Sequence, residues 1–220
     1  MMTVRRTLPQ FGRTTIGAWC FVDHFGPNVV ADADGMSVGP HPHTGLQTVT
    51  WLFEGEVEHR DSVGSHVVVR PGQVNLMTSG AGISHSEHST PAATKVHGVQ
   101  LWVALTDADR HTPPFFEHHV APRTTIGAAS VIVFAGTLAG LTSDATTFTP
   151  LVGAEIIVPA GTDVTLPVED RFEHGILVDH GSPVVNEEPV ERDHLLLNIL
   201  HKRRQPSSFR QPTASRTTQN

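Results

Sequence analysis

Two short segments hold the residues best suited to chemistry: PHPHTG, with His41 and His43, and ISHSEHS, with His85 and Glu87. In an extended chain, side chains two residues apart point to the same face, so each segment offers a pair of donors in one direction. If the segments converge, three imidazoles and one carboxylate reach a common point. That donor set suits Fe(II), Mn, Co, Ni, Cu or Zn, and four protein ligands leave positions open for a substrate or dioxygen. An isolated HxH usually just faces solvent. Here it follows a Gly/Pro turn, and about forty residues later GxxHxE follows a second Gly-rich turn; the joint pattern points to ligation. Fifteen histidines accompany only two lysines, and the remaining histidines are read as bystanders.

The elements that must position these residues are short strands. LQTVTWLFEGEVEHRDSVGSHVVVRPGQVNLMTSG alternates Val-, Thr- and aromatic-rich runs with EG, SVGS and RPG turn chemistry. No long amphipathic helix pattern interrupts it, and closure into barrels would remove the exposed edges of such strands. A second strand-rich block starts near Ser130 and runs to about Leu200, repeating the rhythm of strand, Gly turn and PxG-type turn. Between the blocks, DADRHTPPFFEHHVAPRT reads as a linker because of its Pro pair and polar residues. The expected organisation is residues 1–120, residues 121–200, and a disordered basic tail over residues 201–220.

Composition narrows the function. The 220 residues carry a formal charge of -7. Five of the fifteen basic residues, and none of the 22 acidic ones, lie after residue 200, so the body carries about -12. An acidic body argues against direct nucleic-acid binding, which needs clustered Lys and Arg. Cys20 is the sole cysteine and forms no internal disulfide, so a cytoplasmic setting is expected. No signal peptide follows MMTVRRTLPQFGRT, and no apolar run approaches a membrane span.

DHFGP (23–27), HPHTGLQTVTWLFEG (41–55), HRDSVGS (59–65) and MTSGAGISHSEHS (77–89) together resemble the pirin family of the cupin superfamily, in order and in spacing. The similarity continues through VQLWV (99–103) and TPPFFE (112–117), and more weakly through FEHGILV (172–178). It implies an all-β chain of two tandem cupin barrels (double-stranded β-helix, or jelly-roll), with the metal in the N-terminal barrel on His41, His43, His85 and Glu87. It also implies iron as the usual metal, and for bacterial members an activity like quercetin 2,3-dioxygenase, opening a flavonol ring with dioxygen and releasing carbon monoxide. Glu87 is then the candidate to accept the proton of the flavonol hydroxyl. Two other readings stand beside it: a non-enzymatic, iron-dependent redox-sensing regulator acting through protein partners, and a cupin hydrolase or isomerase using another metal.

Gln47 stands where many pirin-like chains have Glu, which removes a second carboxylate; the metal is expected to survive the change. Gln47 and His59 either orient substrate or serve the structure, and His24 is read as fixing a turn. The second block has neither HxH nor HxE, only FEHG and VDHG, so no metal is expected there. Pirin-like chains continue with strands where this one turns basic and polar near Leu200, so the second barrel is expected to be incomplete, through truncation or a shifted reading frame.

Overall fold

The computed structural model describes residues 3–30, 35–197 and 207–210. Every regular element among them is a strand, so the all-β class expected from the short alternating runs, and the tandem barrels implied by the resemblance, are what the chain forms. None of the described residues forms a helix long and apolar enough to cross a membrane.

The first half contributes β1 (Val4–Leu8), β2 (Trp19–Val29), β3 (Ser37–His43), β4 (Leu46–Glu54), β5 (Val57–Asp61), β6 (His66–Val69), β7 (Gln73–Thr78), β8 (Ile83–Ser89), β9 (Lys95–Ala104) and β10 (Phe115–Val120). They make two antiparallel sheets, ordered β1-β2-β9-β4-β7-β10 and β3-β8-β5-β6. The sheets face each other. At one end of the space between them Phe25, Leu52, Val57, Val69 and Val96 pack into an apolar cluster; farther along, Thr50 of β4 reaches Glu87 of β8.

The outer face of the larger sheet is buried too. Val49, Trp51, Leu76, Val99 and Leu101 pack with Ile132, Phe134, Ala135 and Leu151 of the second half. The Trp51 and Phe134 rings stack at 4.9 Å, and the Trp51 indole N–H donates to Glu155 Oε2 at 3.0 Å. Strand β4 is therefore buried on both faces: Val49 and Trp51 look toward the second half, and Thr48, Thr50 and Leu52 look into the first barrel. The second half pairs Arg123–Ile126, Ala129–Leu138 and Val152–Ile157 antiparallel in one sheet. Asp163–Leu166 lies in another, beside Ser207–Arg210 and Val184–Val185.

Two segments depart from the sequence reading. PFFEHHV was read as linker, yet Phe115–Val120 pairs along its whole length with β7. It occupies the sheet edge, where the preceding prolines interrupt no ladder. Ser207–Arg210 was assigned to the disordered tail, yet it forms a strand that buries Phe209 against Val164 and Leu166. One aromatic residue gives an otherwise polar segment its reason to dock. The rest of residues 201–220, and with it the expected truncation, lies outside the described residues.

DHFGP is not a turn. Gly26 has φ +82°, and a Cβ there would meet the Val96 carbonyl oxygen at 2.3 Å. The motif is a bulged strand held tightly against β9, and His24 points from it as a strand residue.

Candidate metal centre

Strand register delivers the site. In the smaller sheet His41 of β3 pairs with His85 of β8, which pairs on its other side with Asp61 of β5. Glu87, two residues along β8, pairs with His59. Directly opposed side chains lie about 4.5–5.5 Å apart at Cβ, so alternation within each strand and pairing across three strands gather these groups on the barrel's inner face. Gly80, in the β7–β8 connection, sets the entry into β8. Its φ is +46°, and a Cβ would meet the Thr112 carbonyl oxygen at 2.0 Å, so only glycine fits.

Three imidazoles converge. His85 Nε2 lies 3.1 Å from His43 Nε2 and 3.1 Å from His41 Nε2. For His41 and His85 the far nitrogens explain the orientation. His41 Nδ1 donates to the Gly39 carbonyl at 2.9 Å. His85 Nδ1 lies 3.4 Å from His59 Nδ1, and His59 Nε2 lies 3.1 Å from Asp61 Oδ2. Asp61 in turn accepts from the amides of Val63 and Ser65. If Asp61 accepts the His59 proton, His59 accepts from His85, and His85 Nε2 is left as an acceptor; this is the outer-sphere orientation that metal-binding histidines use. Phe116 stacks on His59 at 4.4 Å and fixes its plane.

Electrostatics agree. Burial, reinforced by His41, pushes the His43 imidazole down to about 4. Burial, followed by the neighbouring His59, His41 and His43, pushes His85 down to about 3. Both rings are neutral at pH 7, the state a metal needs. With His85 Nε2 3.1 Å from the Nε2 atoms of both His43 and His41, the three nitrogens fit one transition-metal ion.

Glu87 sits to one side. Its donor atoms group within 4.8 Å with those of His59 and His85, while His41, His43 and His85 form a separate group, so His85 belongs to both. The Thr50 hydroxyl donates to Glu87 Oε1 at 3.0 Å. Burial raises the Glu87 carboxyl, with Thr50 opposing the shift. A shallow cleft of about 270 Å³ opens beside His85, bordered by Pro40, Arg60 and Asp61.

Of the two residues left open by sequence, His59 is part of the site as the partner of His85. Gln47 is not: on β4 it shares the face of Val49 and Trp51, opposite Thr50, and its amide donates to Thr78 Oγ1 and to the Thr146 carbonyl. Asp61 was missed by the sequence reading. The signal available was the HxD spacing in HRDSVGS, which puts His59 and Asp61 on one face.

Residues 1–103 match the family described as Pirin. A Pseudomonas aeruginosa protein named provisionally as a quercetin 2,3-dioxygenase is 44% identical over 200 residues, which is 90% of this chain and 62% of that protein. A pirin-like protein of Caulobacter vibrioides is 38% identical over 175 residues, 76% of this chain and 61% of that one. The chain thus spans about three fifths of the length of these curated relatives. A crystal structure of a quercetin 2,3-dioxygenase from Acinetobacter baumannii matches with a TM-score of 0.89 at 38% identity, covering 96% of this chain and 70% of that one.

Proposed function

Because the chain belongs to the pirin family, we propose that it is a metal-dependent dioxygenase of the quercetin 2,3-dioxygenase type, opening a flavonol ring with dioxygen and releasing carbon monoxide. The observation that carries this reading is the convergence of His41, His43 and His85 through Nε2 atoms 3.1 Å apart, with the outer nitrogens of His41 and His85 engaged elsewhere. We assign the metal to these three residues and to Glu87, with Fe(II) as the ion and Cu, Ni, Mn, Co and Zn as ions the same donors accept. When bound, the metal supplies a Lewis acid that lowers the pKa of the flavonol hydroxyl and holds open positions for substrate and dioxygen.

The protein's own groups do the rest. Glu87 takes the hydroxyl proton, as the buried carboxylate grouped with His59 and His85. Thr50, hydrogen-bonded to it, keeps the carboxylate from swinging freely. Asp61 and His59 hold the His85 ring. Trp102, edge-on to His43 at 5.1 Å, gives the site an apolar wall suited to an aromatic substrate. The partners of this reading are a flavonol-like small molecule and dioxygen; the acidic body gives nucleic acid no footing.

The deciding assay uses protein purified without chelator and reloaded with Fe(II). Dioxygen uptake and carbon monoxide release with quercetin are expected in air, absent under nitrogen, and abolished by His43→Ala. Stoichiometric metal binding with no turnover across a flavonol panel would overturn the dioxygenase and leave a regulator acting through a protein partner. A protein that takes up zinc alone would point to hydrolysis.

A further inference from the structure

A second cluster lies on the opposite side of the larger sheet, between the halves of the chain. His24 of β2 is completely buried, and its Nε2 lies 2.9 Å from Asp179 Oδ1 and 3.1 Å from His97 Nε2. His97 Nε2 of β9 lies 2.8 Å from the same Asp179 oxygen. The three atoms form a nearly equilateral triangle. Donors about 2.1 Å from a single ion lie about 3.0 Å apart at octahedral angles and about 3.4 Å apart at tetrahedral ones, so this triangle sits near the octahedral spacing. The first cluster shows the same spacing, at 3.1 Å.

Hydrogen bonding alone accounts poorly for this triangle. If both rings donated to Asp179, two N–H groups would converge on one oxygen from nitrogens only 3.1 Å apart. If one ring is the acceptor, its lone pair faces a carboxylate. A cation removes the conflict, because both rings and the carboxylate then present lone pairs to it. The surroundings are arranged to hold such a donor set. Asp193 Oδ1 stands 3.0 Å from His24 Nδ1, and Arg5 pairs with the other Asp193 oxygen at 3.1 Å. The Phe53 ring lies edge-on to both imidazoles. The approach of Asp193 to His24 is not a well-directed hydrogen bond, and neither buried atom has another hydrogen-bond partner among the described residues. Asp179 also lines a cavity of about 940 Å³ between the halves, bordered by Val22, Phe53 and Val99 of the first and by Leu177 and Val178 of the second, which gives an ion a way in.

We infer that His24, His97 and Asp179 form a second site for a divalent first-row transition metal, joining two strands of the first half to the Val178–His180 segment of the second. Two imidazoles and one carboxylate are a donor set that Zn, Fe(II), Co and Ni all accept. The sequence reading expected no metal in the second half, because it sought HxH or HxE within one segment; here the second half supplies a single carboxylate to two histidines 73 residues apart. A metal in this position binds the folded, docked halves and not the unfolded chain, so it stabilises their union.

The probe is Zn(II), added to chelator-treated full-length protein. Wild type is expected to bind two zinc ions per chain, and a His41→Ala/His85→Ala variant one, with a melting temperature raised by several degrees on zinc addition. Adding His97→Ala to that variant should remove both the remaining zinc and the shift. In the otherwise intact chain, His97→Ala and the isosteric Asp179→Asn should each lower the count from two to one, or weaken the second ion at least tenfold. The inference is overturned if the His41→Ala/His85→Ala variant binds no zinc, or if its zinc and thermal shift survive His97→Ala. If the first-site variant does not fold, the single substitutions decide: an unchanged zinc count in both rejects the second site. Failure of the first site would instead appear as a wild-type count that His43→Ala leaves unchanged, so the two outcomes stay separate.

Discussion

In the first half of the chain the side chains buried between the facing sheets include His43, Thr48, Thr50, His59, Asn75, His85 and Glu87. In the second, the apolar cluster includes Val131, Val133, Leu138, Val164, Leu166, Val185 and Phe209, and Ser143 is the one buried polar residue among the described residues after residue 120. Both halves use antiparallel sheets joined by tight turns, so the contrast lies in what the inner faces hold. Apolar burial stabilises by roughly 25 cal/mol per Å², whereas each buried polar group must find partners or cost about 1–3 kcal/mol. The first barrel therefore gives up core for chemistry. It recovers stability on its outer face, where Val49, Trp51 and Leu101 pack on Ile132, Phe134 and Leu151. The lesson is a division of labour: one half presents the donors, and the other supplies the apolar mass that keeps the presenting sheet in place.

The sharpest way to break that division is to truncate one interior residue in each half. His85→Ala removes the residue common to both donor groups of the first cluster, and metal affinity should fall by at least about a hundredfold, since even outer partners of metal ligands are worth 10–100-fold. The metal-free protein should lose little stability, because His85 is surrounded by other imidazoles and not by tight apolar packing. Leu166→Ala should do the reverse. Leu166 is 1% exposed within the apolar cluster, so its loss should cost about 2–5 kcal/mol, with metal stoichiometry unchanged. Metal analysis and thermal melts of both variants check the pair; equal melting losses in the chelated proteins would contradict the contrast.

A smaller effect sharpens the same comparison at two glycines. Gly80 and Gly136 both have positive φ, and a Cβ on either would strike a backbone carbonyl oxygen, that of Thr112 at 2.0 Å or that of Leu151 at 1.8 Å. Alanine at each should cost about 1–3 kcal/mol through backbone strain. Only Gly80→Ala should also weaken metal binding, because Gly80 leads into the strand that bears His85 and Glu87. Melting curves paired with metal titration of the two variants separate strain from site damage.

What could be read from sequence follows the distance over which each feature is encoded. The HxH and HSE pairs were legible because strand alternation is a two-residue rule, and the all-β class because its turns are local. Thr48 and Thr50 alternate with Val49 and Trp51, and both sets are buried, which alternation alone does not reveal. Asp61 joins His85 only through the register of β5 against β8. His24, His97 and Asp179 meet across 155 residues, with no spacing to announce it. The strand Phe115–Val120 escaped because prolines precede it, and Ser207–Arg210 because one Phe sits in basic, polar sequence.

The smallest predicted effect tests the seam between the halves. Glu155 accepts the Trp51 indole N–H, and burial, followed by the nearby Asp179 charge, raises its carboxyl against the pull of that hydrogen bond and of Arg123. The folded state therefore holds this proton more tightly than the unfolded chain does. Its contribution favours folding below the ordinary glutamate pKa of 4.5. It declines as pH rises through the folded value, because the folded state must then carry a buried negative charge. Glu155→Gln keeps an oxygen to accept from Trp51 and removes the titration. In chelator-treated protein the variant should match wild type near pH 4 and melt slightly higher at pH 7. A difference that stays constant with pH, or that favours wild type as pH rises, would mean that the carboxylate is well accommodated at the seam, and that the docking of the halves depends on charge as well as on the stacked rings.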